Sequence, residues 1–171
     1  FSYYASAQVK PEASPFDFVF LPSTMKRFFL TRVNPYYHDL ALLIVRILVG
    51  LTMLSHGTPK LLRFSSEGPL SFGDPLNIGP VPSLVLTVFA EFVCSLFIIA
   101  GLGTRLAVIP LMVTMLVAAF VIHKADGFAE QELAILYLLI YFFLFVAGSG
   151  RYSIDRILER RWYKTSAESG I

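Results

Sequence analysis

Three residues able to carry positive charge lie in a stretch otherwise suited to hydrocarbon: Arg46, His56 and Lys60 in LALLIVRILVGLTMLSHGTPKLL, Leu40 to Leu62. Glu91 interrupts a second apolar run, VPSLVLTVFAEFVCSLFIIAGL, and His123 closes a third. An ionised side chain near the bilayer centre costs roughly 2.5–3.5 kcal/mol, so each needs a partner or a wet cavity. A cation and a carboxylate in that setting can neutralise one another. They can also move a proton to a bound redox ligand while the cation stabilises the anion that forms.

Counting along the helices, Arg46 lies about 9 Å into the first run and Glu91 about 15 Å from the same face. An arginine side chain covers that difference, so an Arg46–Glu91 pair between the first two helices is expected. Such a pair could simply hold the bundle together, or it could be a proton-active, quinone-facing carboxylate tuned by Arg46. Arg46, Met53 and Lys60 recur at seven-residue steps and share one face. His56, Lys60, His123, Glu130 and Glu132 all fall near the other interface and could line a shallow polar pocket. For Lys60 alone, snorkelling to the headgroups is the simpler expectation. A bis-imidazole haem on His56 and His123 is disfavoured, because a lone interfacial histidine is more often just hydrogen-bonded. His38, beside Pro35, Tyr36 and Tyr37, reads as part of an aromatic belt.

The elements that must position these groups are four apolar segments, each near the ~20 residues that span hydrocarbon. They are 40–62, 81–102, 105–123 and 132–150. A chain of 171 residues that is 56% hydrophobic and 15% charged is more apolar than a soluble domain, which makes lipid the expected solvent. The expected fold is all-α: an antiparallel, up-down four-helix membrane bundle, with an N-terminal arm over 1–38 and a basic tail over 151–171. The tail reads as helical through RYSIDRILERRWY. GLGT is too short for anything but an antiparallel turn between the second and third spans, and the 63–82 loop is rich in Gly, Pro and Ser. Lys26, Arg27, Arg32, Arg105 and the arginines after 150 put both termini on the cytoplasmic side by the positive-inside rule. MKRFF at Met25 reads like a natural start, and the residues before it carry no functional argument.

Other chemistry is excluded by what is missing. Cys94 is the only cysteine, so this chain cannot form an internal disulfide, a CxxC pair or a thiolate metal site. No dinucleotide, P-loop, HExxH or nucleophile-elbow pattern occurs, and no metal site is expected. A formal charge of +2 without a basic–aromatic patch argues against nucleic acid. The Phe, Tyr and Leu stripe of the fourth span reads as lipid-facing or packing surface.

Several pieces in order resemble the DoxX family of small four-helix membrane proteins. They are Arg46, Gly50, His56, Gly57 and Lys60 in the first span, the loop ending IGPVPS, mid-span Glu91 followed by GLGTR, and the run from Glu132 through GSGRYSID to Asp155. The likeness covers about Asp39 to Leu158. It implies kinship with the membrane subunit of thiosulfate:quinone oxidoreductase and with membrane redox complexes. It marks Arg46, His56, Lys60, Glu91, Arg105 and Glu132 as positions of interest. The first expectation is therefore an integral, multi-pass subunit (of a bacterial inner membrane or an organelle equivalent) of a quinone-linked oxidoreductase. Glu91 and His56 would be its proton-active residues, and Arg46 or Lys60 would stabilise a quinol anion. Quinone is the cofactor class the bundle could take, and membrane or peripheral redox subunits would supply electrons. The alternative is a non-catalytic accessory or scaffold subunit. A transporter ranks last for want of an internal repeat.

Overall fold

The computed structural model describes residues 34–65 and 72–168. The N-terminal arm before Asn34, including Met25 and its preceding segment, lies outside the described residues. The described chain is helical and contains no strand. Helix α1 is Pro35–Leu62, ended by a 3₁₀ turn at Arg63–Ser65. Helix α2 runs Pro80–Ala100, α3 Thr104–Ile122, α4 Phe128–Ala147 and α5 Ile154–Glu168. The first four are each long and apolar enough to cross a membrane. The protein is thus a multi-pass integral membrane protein, with spans close to those expected from hydropathy.

Local chemistry sets the boundaries. Asn34 caps α1, its side chain accepting the Tyr36 amide at 3.0 Å, and Pro35 occupies a first-turn position where no N–H is needed. Gly101 and Gly103, at φ +69° and +55°, make the left-handed turn between α2 and α3. Gly127 and Gly148 bracket α4. Neither α2 nor α3 is a uniform α-helix. Phe89–Cys94 in α2 and Ala118–Ile122 in α3 are wide π-helical turns. FAEFVC contains no Pro or Gly to announce this, so it is invisible to pattern reading.

The helices alternate in direction around a closed ring. Arg46 of α1 meets the end of α2 at Ile98, while Gly57 meets Glu91 further back. Arg105 at the start of α3 reaches Val146 at the end of α4, and His56 late in α1 faces Tyr137 in the first half of α4. Leu42, Met53, Ile98, Val108, Leu111, Tyr141 and Leu144 fill the centre. Large apolar side chains such as Leu48, Leu106, Leu139 and Phe142 point outward, the arrangement expected where the solvent is lipid.

Two glycines let α1 and α2 approach closely. A Cβ on Gly57 would lie 2.8 Å from the Glu91 carbonyl carbon and oxygen and 2.9 Å from the Phe92 amide nitrogen. At Gly50 it would strike the Ile99 side chain first. Small residues at such positions let backbones approach closely. Gly57→Ala should therefore cost about 1–3 kcal/mol, and Gly50→Ala less, because a side chain yields more readily than a backbone. Thermal unfolding of both variants in detergent checks the order.

Asp74 organises the entry to α2. Its carboxylate accepts the amides of Gly79 at 2.7 Å and Ile78 at 3.0 Å and the Ser83 hydroxyl at 2.9 Å. Desolvation is the largest single influence and opposes ionisation. The bonds from Gly79, Ser83, Ile78 and Asn77 together outweigh it and hold the carboxyl below its ordinary value of 3.8. A depressed folded value means that the cap contributes fully above pH 3.8 and is lost as pH falls through the lower folded value. Hydrogen exchange at Ile78 and Gly79 should be faster in Asp74→Ala than in the wild type at pH 7. After correction for intrinsic rates, the two proteins should converge on strong acidification.

Candidate functional site

Arg46 is 1% exposed and does not reach Glu91, contrary to the expected pair. Its Nε donates to the Ile98 carbonyl at 3.1 Å, and its Nη2 to Tyr152 at 2.9 Å and Ile99 at 3.4 Å. Nη1 donates to the Ser149 carbonyl. The guanidinium thus caps the carbonyl end of α2 and gathers the chain that follows α4. The reason is register. Gly57 packs against Glu91 and Gly50 against Ile99, which leaves Arg46 level with the last turn of α2, where unpaired carbonyls are nearest.

The GLGTR and GSGRYSID motifs complete this shell. Asp155 attracts Arg46 electrostatically, and its carboxylate accepts the Gly103 amide at 2.7 Å and the Thr104 amide at 3.5 Å. The Asp155 amide donates to the Gly101 carbonyl at 3.0 Å. Gly101 must be glycine twice over: its φ is positive, and a Cβ would lie 2.7 Å from Arg46 Nη1 and 2.6 Å from Ser153 Cβ. Asp39 accepts the Arg151 amide at 3.2 Å and faces its guanidinium at 3.8 Å. Sequence reading marked GSGRYSID as a motif but gave Ser149, Ser153 and Asp155 no role, and it gave Asp39 none.

The partner of Glu91 is Lys60. Lys60 Nζ lies 2.5 Å from Oε1 and 2.6 Å from Oε2 of Glu91, so snorkelling is not what this lysine does. The carboxylate side chain is 4% exposed and the ammonium side chain 29%, so the pair is open only on its cationic side. Glu91 lies in the π-turn, eleven residues from Pro80 and nine from Ala100, and therefore about 15 Å from either end of α2. Wide turns of this kind recur at functional positions. Pro59, one residue before the lysine, removes the amide that would bond the Ser55 carbonyl.

A run of aromatic rings extends from His56 to Tyr141. The His56 ring meets Tyr137 edge-on at 6.2 Å, and Tyr137 stacks on Tyr141 at 6.0 Å. Tyr141 lies within electrostatic range of Glu91. It is fully buried, and its hydroxyl has no hydrogen-bond partner among the described residues. Sequence reading placed the fourth-span aromatics on a packing or lipid surface. The inward spacing of Ala134, Tyr137, Tyr141 and Leu144 was the signal that separated these two tyrosines from the stripe.

The remaining candidates lie apart. His123 Nδ1 is 2.9 Å from Asp126, and the His123 carbonyl accepts from Gln131 at 2.9 Å in the α3–α4 turn. Glu130 and Glu132 are exposed at the start of α4. The expected pocket of five polar residues is thus divided, with Lys60 on Glu91, His56 against Tyr137 and His123 kept to its own turn. Arg105 is at the opposite end, its Nη2 donating to Val146 at 3.3 Å. Among the described residues, no three His, Cys, Asp or Glu side chains form a metal-holding group.

Removing Arg46 leaves four carbonyls and a buried cavity. Arg46→Gln should lower unfolding stability by at least about 3 kcal/mol, and Arg46→Lys should not restore it, since a point ammonium cannot reproduce the fork. Adding Glu91→Gln to Arg46→Gln should rescue nothing. Membrane abundance and melting temperature check this, and rescue would return the pairing to Arg46 and Glu91.

The DoxX family matches residues 41–124, which contain the α1–α2 seam and all of α3. An uncharacterized membrane protein of Mycobacterium tuberculosis is 36% identical over 140 residues, covering 68% of this chain and 80% of that protein. An uncharacterized protein of Haemophilus influenzae is 32% identical over 136 residues, covering 74% and 93% respectively. The inner membrane protein YqjF of Escherichia coli is 27% identical over 130 residues, covering 72% and 96%. No solved structure matches. The glycine seam, the buried lysine–glutamate pair and the arginine-centred end thus belong to a chain of the DoxX family.

Proposed function

We propose that this protein is the membrane-embedded, quinone-handling subunit of an oxidoreductase assembly, with its chemistry at Lys60 and Glu91. The carrying observation is the ion pair at the middle of α2, closed on the carboxylate side and partly open on the lysine side. Intramembrane ionisable groups of this kind commonly mark ligand or proton paths. Reduction of a quinone to quinol takes two electrons and two protons. Electrons would come from a flavin- or iron–sulfur-bearing partner, and protons would pass through Glu91 and the exposed His56. Lys60 takes over the anion-stabilising role, because Arg46 is committed to carbonyls. Tyr137 and Tyr141 would orient the quinone ring or relay a proton.

An accessory, non-catalytic role is the second reading, favoured by the double contact of Lys60 with both carboxylate oxygens, which would also serve as a clamp. The two readings separate in one variant. A buried ion pair replaced on both sides by apolar residues of similar size is often neutral for stability, whereas removing one partner costs about 3–5 kcal/mol. The double variant Lys60→Met/Glu91→Met should therefore fold and assemble, yet lose quinone extracted in proportion to the chain and quinone reduction in native membranes. Glu91→Gln alone should lose reduction first. Full quinone content and activity in the double variant would leave the accessory reading standing.

A further inference from the structure

The opposite end of the bundle carries a second feature that the Lys60–Glu91 chemistry does not use. A cleft of about 590 Å³ opens between the start of α3, the end of α4 and the start of α5. Arg105, Arg151 and Arg156 line it, together with Asp39, Asp155 and Glu159. The acids are largely spoken for. Asp155 caps α3, Asp39 faces Arg151, and Glu159 lies 2.5 Å from Arg156 Nη1. Two donors are left over. Arg156 Nε is buried without a hydrogen-bond partner among the described residues, and Arg105 is held by one carbonyl at 3.3 Å with no carboxylate in ion-pair contact among them.

Helix α5 says what surrounds the cleft. It starts seven residues after α4 ends, so it begins at the membrane boundary. Ile154, Ile157, Leu158 and Trp162 recur at helical spacing on one face, all exposed. Arg156, Arg160, Arg161 and Lys164 give the same helix an excess of positive charge. An apolar stripe with a basic border is the pattern of a helix lying in the headgroup layer.

We propose that this cleft is a binding site for an anionic phospholipid, whose phosphate sits between Arg105 and Arg156 while its acyl chains run down the outside of the bundle. The Arg156 Nε and the Arg105 guanidinium supply charge-assisted donors to the phosphate oxygens. The apolar face of α5 inserts beside the same lipid.

The test uses the full chain, purified in mild detergent, and native mass spectrometry with phosphatidylglycerol, phosphatidylcholine or inorganic phosphate added. Phosphatidylglycerol should remain bound at energies that strip phosphatidylcholine. Arg105→Gln and Arg156→Gln should each weaken it about fivefold, the equivalent of about 1 kcal/mol per cation at a lipid surface. Glu159→Gln, which frees Arg156, should strengthen it, and Lys124→Gln in the α3–α4 turn should change nothing. Retention of both lipids alike, or unchanged binding in both arginine variants, would overturn the site. Displacement by millimolar inorganic phosphate would overturn the lipid assignment in favour of a free-anion site.

Discussion

The fold hangs on one guanidinium. Arg46 enters the bundle from the first helix and meets carbonyls contributed by the end of the second helix and by the segment after the fourth. A helix C-terminus leaves carbonyls without partners, and within lipid no water is at hand to take them. A buried arginine without acceptors would be equally costly. Each half removes the other's penalty, and the planar five-donor group is the side chain whose geometry can serve several acceptors at once. The glycine turn, the Asp155 cap and the Asp39–Arg151 contact are arranged around that exchange.

With Arg46 so engaged, the bundle separates its ionic groups by task. The end where α2 and α4 finish is a tightly bonded knot, and the centre of α2 holds a lone ion pair against a glycine. Gly57 brings the two backbones together at the π-turn, which sets where the Glu91 side chain emerges and brings Lys60 within reach. The polar chemistry at mid-membrane is therefore supported by packing, while that at the boundary is supported by hydrogen bonds.

Much of this could be read from composition. The four spans fell within a few residues of their final limits, because runs of about twenty apolar residues leave few alternatives. The tight turn at Gly101–Gly103 and the helical tail were equally legible. The pairing of the charges was not. Depth along a helix, counted from hydropathy edges, assumed that the first two apolar runs end in one plane, whereas the actual register packs Gly50 on Ile99 and Gly57 on Glu91. In that register Arg46 lies level with Ile98, and the lysine fourteen residues further on takes Glu91. Backbone carbonyls as the acceptors of an arginine leave no residue-type signal at all. Tyr141 could have been separated from its aromatic neighbours by its inward spacing, but nothing in FAEFVC foretells a wide turn.

The shell of Arg46 also has a bearing on biogenesis. Its acceptors at Ser149 and Tyr152 are 103 and 106 residues further along the chain. A nascent chain whose first helix has entered the bilayer must therefore carry an incompletely satisfied arginine until the fourth helix has crossed and its trailing segment has folded back. Closure of that shell has to wait for the segment after the fourth helix. A chain truncated before residue 149 would present the insertion and quality-control machinery with an open cation, so this one side chain reports whether the protein has been completed.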